Sequence, residues 1–132
     1  MEIMSGLGKK QRLKVLTLNL NTGHGPFKSF FHEMTREEVK ENLDKTVKLI
    51  RELDPDVIAL QEVDIKWRGT ANINQASYIA DRLGFYVAFA IMHRKIKTVP
   101  NFLKKHSLIS SLADRETGLA IISKYPIINY GF

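Results

Sequence analysis

Polar and apolar positions change their rhythm several times along this chain, and each change marks an element. Leu16, Leu18 and Leu20 alternate with Val15, Thr17 and Asn19, a period of two that predicts a strand over Leu13–Leu20. Gly23-His24-Gly25-Pro26 then sits at the centre of a predicted loop, Asn21 to Phe31. The rhythm turns helical after Thr35-Arg36-Glu37-Glu38, a capping box in which the Thr35 hydroxyl and the Glu38 carboxylate each take an amide of the other's residue, with Met34 and Val39 placed as a hydrophobic staple. Val39, Leu43, Val47, Ile50 and Leu53 recur at steps of three and four and make one apolar stripe. Glu41–Lys45 and Asp44–Lys48 support its wet side. Asp54-Pro55 ends the helix, because the residue before a proline is pushed out of helical geometry.

A continuous apolar run, Val57-Ile58-Ala59-Leu60, follows at once within Asp56–Glu62 and predicts a strand buried on both faces. Asn72, with Gln75 three residues on, announces a second helix; Ala76, Ile79, Ala80 and Leu83 form its inner face and Gly84 its stop. Further strands are predicted over Phe85–Ile91, Gly118–Ser123 and Ile127–Tyr130, with a basic insertion, residues 92–117, whose middle (Asn101 to Leu112) has the pattern of a short amphipathic helix. Strand, helix, strand with short links implies a parallel pair joined by a right-handed crossover, hence an α/β fold. Two helices suffice for one face of such a sheet. The other face, which includes Val15, has nothing in this sequence to bury against, so an exposed apolar face that takes a partner layer is expected.

Composition sharpens this only slightly. With 132 residues, 44% hydrophobic and 26% charged, the chain is sized for one domain, expected over residues 13–132 behind a flexible basic N-terminus, residues 1–12. It has no cysteine, which excludes disulfides and thiolate metal sites. No apolar run is long enough for a transmembrane segment and the first dozen residues lack a signal-peptide core, so a cytoplasmic location is the expectation. Net charge is +6, with cations gathered in Lys9–Lys14 and in the insertion, a pattern that either draws an anionic partner or forms a solvated loop.

Asn19 and Glu62 fall at the C-terminal ends of the two predicted parallel strands, the edge at which open α/β sheets bind ligands. A carboxylate there needs a cation or donors. A glutamate with a neighbouring amide oxygen suits half of a Mg²⁺ site, since that hard ion takes oxygen ligands and few protein carboxylates. Alternatively Glu62 caps a loop and Asn19 bonds to the backbone. Gly23-His24-Gly25 is no dinucleotide fingerprint: a third glycine is missing, Pro26 intrudes, and the helix begins too far on.

The blocks Leu13-Lys-Val-Leu-Thr17-Leu-Asn19-Leu, Asp54-Pro-Asp56-Val-Ile-Ala-Leu-Gln61-Glu62-Val63-Asp64 and Gly118-Leu-Ala-Ile-Ile-Ser123-Lys-Tyr-Pro126-Ile127, with Arg68, Asn74-Gln75 and Leu83-Gly84 between, resemble the endonuclease/exonuclease/phosphatase family in order and spacing. That family includes DNase I-like nucleases, inositol-polyphosphate 5-phosphatases and sphingomyelinases. Leu119 departs from it, since many relatives have Asn there. The resemblance implies the N-terminal half of a four-layer α/β/β/α sandwich, with a mixed sheet and helices on one face. It implies Mg²⁺- or Mn²⁺-dependent hydrolysis of a phosphoester, Glu62 as a direct metal ligand, Asn19 beside metal and phosphate, and Gln61 supporting them. The substrate would be a nucleic acid, a nucleotide or a phospholipid headgroup. Relatives also supply a His, an Asp-x-Asn pair and a final Asp-His pair further along. The nine residues after Ser123 hold none of these, so little activity is expected without a complementing C-terminal half or an oligomer formed through the exposed sheet face. Of the remaining candidates, Arg68 either holds a phosphate or pairs with Asp64, and His24 either faces the site or is a loop residue. His32, His93 and His106 read as surface residues, Trp67 and Tyr78 as packing.

Overall fold

The computed structural model describes residues 2–4, 10–21, 33–94 and 115–128. In chain order the elements are β1 (Glu2–Met4), β2 (Lys10–Arg12), β3 (Val15–Asn19), α1 (Arg36–Leu53), β4 (Val57–Lys66), α2 (Gln75–Leu83), β5 (Tyr86–Arg94) and β6 (Arg115–Ser123), with a 3-10 turn at Arg68–Thr70. β1 and β2 form an antiparallel pair. The other strands make one mixed sheet in the order β3-β4-β6-β5. β3 runs parallel to β4, and β6 is antiparallel to both β4 and β5. The expected parallel pair is thus joined through α1.

Alternation decides which residues meet the helices. Leu16 and Leu18 of β3 pair in register with Ile58 and Leu60 of β4, which pair in turn with Ile122 and Ala120 of β6. These side chains share one core with Val39, Leu43, Val47 and Ile50 of α1 and with Ala76, Ile79 and Ala80 of α2. Ile58, Ile122, Val39 and Ile79 are fully buried, each removing an apolar side chain from water at a gain of about 1.5–3 kcal/mol. The odd positions of β3 and the odd positions 119 and 121 of β6 face the other way. Val15, Leu119 and Ile121 keep 50%, 49% and 42% of their surface exposed, so among the described residues this second face has no cover.

The ends of α1 follow the sequence. Thr35 Oγ1 accepts from the Glu38 amide at 3.2 Å, and the Thr35 amide donates to Glu38 Oε2 at 2.9 Å. Asp54 closes the helix in a left-handed conformation, φ 46°. Several boundaries differ from expectation: β5 runs on to Arg94 and β6 begins at Arg115, so both ends of the expected insertion, residues 92–117, are strand. α2 is capped by Asn74, whose side chain accepts from the Ser77 amide, while Asn72 occupies a left-handed turn. Gln75 is not a capping partner but lies buried, its Oε1 accepting from the Asp64 amide at 3.1 Å. β4 runs past Glu62 to Lys66. Ile127 and Ile128 are not in a strand, and the rest of the expected last strand lies outside the described residues, as does the expected helix within the insertion. Among the described residues no helix is long and apolar enough to cross a membrane.

Candidate functional site

β3 and β4 end their parallel pairing at Asn19 opposite Gln61, and the Leu20 amide extends the ladder to the Gln61 carbonyl at 3.0 Å. Beyond that point β4 changes register. Leu60 faces Ala120 but Val63 faces Gly118, so Gln61 and Glu62 together oppose Leu119. This is a β-bulge, and Glu62 adopts the left-handed conformation at φ 52°. For an L-residue that conformation costs about 1–2 kcal/mol. Its effect is specific. Strict alternation would turn Glu62 toward the helices and Val63 away from them; the extra residue keeps Val63 fully buried and Glu62 exposed.

Released from the core, the Glu62 carboxylate meets Asn19. Asn19 Nδ2 donates to Glu62 Oε1 at 2.9 Å, and Asn19 Oδ1 accepts from the Asn21 amide at 2.7 Å. Gln61 lies beside them, donating from Nε2 to Thr17 Oγ1 at 2.9 Å and to the Ala59 carbonyl at 3.2 Å. The two residues singled out on the strand ends are therefore in direct contact, with the Asn19 amide donating to one exposed carboxylate. No ion pair to Glu62 occurs among the described residues.

Arg68 places its Nε 3.5 Å from Glu33 Oε1, with both side chains mostly exposed. It does not pair with Asp64. That carboxylate is fully buried and takes Arg115 instead, with Nη2 at 2.8 Å and Nε at 2.9 Å, both on Oδ1. Thr70 Oγ1 donates to its other oxygen at 3.2 Å. Burial pushes the Asp64 carboxyl up to about 6, with Arg115 and then Thr70 pulling it back. The Arg115 guanidinium also stacks 4.3 Å from the ring centre of Trp67, which is 4% exposed and is thus a packing residue. Tyr78 packs against the core and donates its hydroxyl to Asp44. Nothing local in the sequence marks the Asp64–Arg115 pair, because the partners are 51 positions apart. His24, His32 and His106 lie outside the described residues.

The sequence model of the endonuclease/exonuclease/phosphatase family matches residues 16–131, nearly the whole chain. The chain belongs to that family. A solved structure of an endonuclease/exonuclease/phosphatase family protein from Leptotrichia buccalis C-1013-b superposes with a TM-score of 0.51 at 19% identity, over 89% of this chain and 40% of that one. The likeness establishes the fold, and the chain spans two fifths of that protein's length. A comparison with curated proteins gives no match. The α/β fold with a mixed sheet and both helices on one face is thus that of part of an endonuclease/exonuclease/phosphatase domain. Among the described residues of this family member, no group of three or more His, Asp or Glu is placed to hold a metal ion.

Proposed function

We propose that this chain carries the metal-anchoring part of a divalent-metal-dependent phosphoester hydrolase site, with Glu62 as the metal ligand and Asn19 beside it. The hydrogen bond from Asn19 Nδ2 to Glu62 Oε1, 2.9 Å long at the ends of two parallel strands, carries this reading. The donor set fits the group: amide and carboxylate oxygens on an exposed strand edge suit Mg²⁺ or Mn²⁺. A bound cation would supply charge neutralisation at the phosphoryl oxygens. The chain's own residues hold the carboxylate in place, through Asn19 and through the bulge that keeps Glu62 out of the core. His24 and Arg68 are the candidates for contact with the substrate phosphate, Arg68 through a guanidinium suited to planar oxyanions once Glu33 releases it. The substrate is proposed as a phosphoester of nucleic acid, nucleotide or phospholipid headgroup.

A second reading is a non-catalytic half-domain that needs a partner, favoured by the uncovered sheet face with Val15, Leu119 and Ile121. One experiment separates the two. The purified chain is assayed with Mg²⁺ on a generic phosphodiester, alone and mixed with a polypeptide bearing the family's later Asp and His motifs. Activity that emerges on mixing, and is lost when the chain carries Glu62→Gln, supports the enzyme reading. A stable, inactive complex supports the half-domain reading.

A further inference from the structure

Glu62 lies between two peptide units that are fastened in place. Upstream, the Gln61 carbonyl accepts from the Leu20 amide at 3.0 Å, where β3 ends its pairing with β4. Downstream, the peptide unit joining Val63 to Asp64 is held at both ends by side chains. Its carbonyl accepts from Thr117 Oγ1 at 3.0 Å, and its N–H donates to Gln75 Oε1 at 3.1 Å. Thr117 reaches it from β6, where it pairs with Asp64. Gln75 reaches it from the first residue of α2 and is fully buried. A bulge disrupts the ladder, and backbone groups near it need partners from elsewhere. Thr117 and Gln75 meet that need on the downstream side.

We propose that Thr117 and Gln75 are positioning residues for Glu62: by clamping the Val63–Asp64 peptide from two sides they hold Glu62 in its left-handed conformation, and hence outside the core. The proposal rests on the metal-facing reading above only for what Glu62 does once placed. A non-glycine residue at φ 52° is strained, and such strain persists only where the surroundings over-determine it. With one clamp released, Glu62 can relax toward extended backbone, and regular alternation would compete to turn its side chain to the helices. Fully buried Val63, and Asp64 with its hold on Arg115, resist a complete slip. A single release therefore gives a mixed population at residue 62 within a folded chain.

The test uses the full chain, isotope-labelled, with the sign of φ at Glu62 read by NMR from its backbone couplings and its Cα and Cβ shifts. Thr117→Val keeps the branched shape on β6 and removes only the hydroxyl. It should replace the single left-handed signal of Glu62 by exchange with an extended form, and Gln75→Met, which fills its site without an acceptor, should do the same. Thr117→Ser retains the hydroxyl and should restore the parent signal, whereas a residue that only packs would be replaced better by valine than by serine. An unchanged left-handed signature in Thr117→Val or in folded Gln75→Met, or equal loss of it in the valine and serine variants, would overturn the proposal. Affinity for Mn²⁺ gives a second readout: it should fall about 10-fold in Thr117→Val and recover in Thr117→Ser. Should Glu62 lose its left-handed form in Thr117→Val with Mn²⁺ affinity unchanged, the metal-facing reading falls and the placement of Glu62 by Thr117 stands.

Discussion

Two carboxylates two residues apart on β4 have opposite surroundings. Asp64 is fully buried, with both oxygens occupied by Arg115 and Thr70. Glu62 is exposed, sits on strained backbone, and has a donor on one oxygen. A saturated, buried ion pair holds structure together: every lone pair aimed at a donor is one withdrawn from chemistry. An exposed carboxylate kept in a costly conformation, with an oxygen to spare, is suited to an outside partner. The bulge is the boundary between these two uses of one strand.

The most severe way to test the contrast is to remove the buried member. Asp64→Ala should lower unfolding free energy by about 3–5 kcal/mol, since the buried Arg115 loses its carboxylate, and urea denaturation measures this. Adding Arg115→Met should restore much of the loss. At Glu62 the expectation reverses. Glu62→Gln should leave the urea midpoint nearly unchanged but cost about 3 kcal/mol of transition-state stabilisation in an active assembly, a loss of kcat/KM on the scale of one preorganised electrostatic group. Less than a tenfold loss, ~1.4 kcal/mol, would remove Glu62 from the site.

Acidity provides a finer test. Because burial raises Asp64 from 3.8 to about 6, the folded state holds this proton more tightly than the unfolded chain. Its contribution to stability is therefore full below 3.8 and is lost as pH rises through about 6. Stability of the parent chain relative to Asp64→Asn, measured by urea denaturation at several pH values, should fall across that window. The smallest effect expected is at the bulge. Glu62→Gly relieves the left-handed strain and should stabilise the fold by roughly 0.5–1 kcal/mol in thermal melts while abolishing Mn²⁺ binding. Destabilisation instead would mean that the Asn19 contact outweighs the strain.

Much of this arrangement was legible from local pattern. The capping box of α1, the stop at Gly84 and the alternation of β3 all depend on residues within a few positions of one another, and all appear where expected. The meeting of Asn19 with Glu62 was legible too, because a short strand–helix–strand unit brings both strand ends to one edge. The misreadings share a cause. Gln75 looked like a helix cap because the sequence cannot show that the Asp64 amide, eleven positions away, claims its side chain. An Arg68–Asp64 pair stood as one of two options for Arg68 because the guanidinium that reaches Asp64 arrives only with β6. β4 appeared to stop at Glu62 because a polar residue after an apolar run resembles a terminus, whereas the register with β6 reveals a bulge and four further strand residues. The need for glycine at Gly118 is equally long-range: a Cβ there would collide with the Ala90 carbonyl oxygen, a requirement that exists only once β5 and β6 are paired.

The stacking of Arg115 on Trp67 has a practical corollary. The sequence contains a single tryptophan, and its indole lies against the first residue of β6. Emission from this protein therefore comes from one seam. Should the start of β6 peel away while the helices stay intact, water would reach the ring and the fluorescence would redden with no change in far-ultraviolet dichroism, so the loosening of that seam could be followed optically without attaching any label.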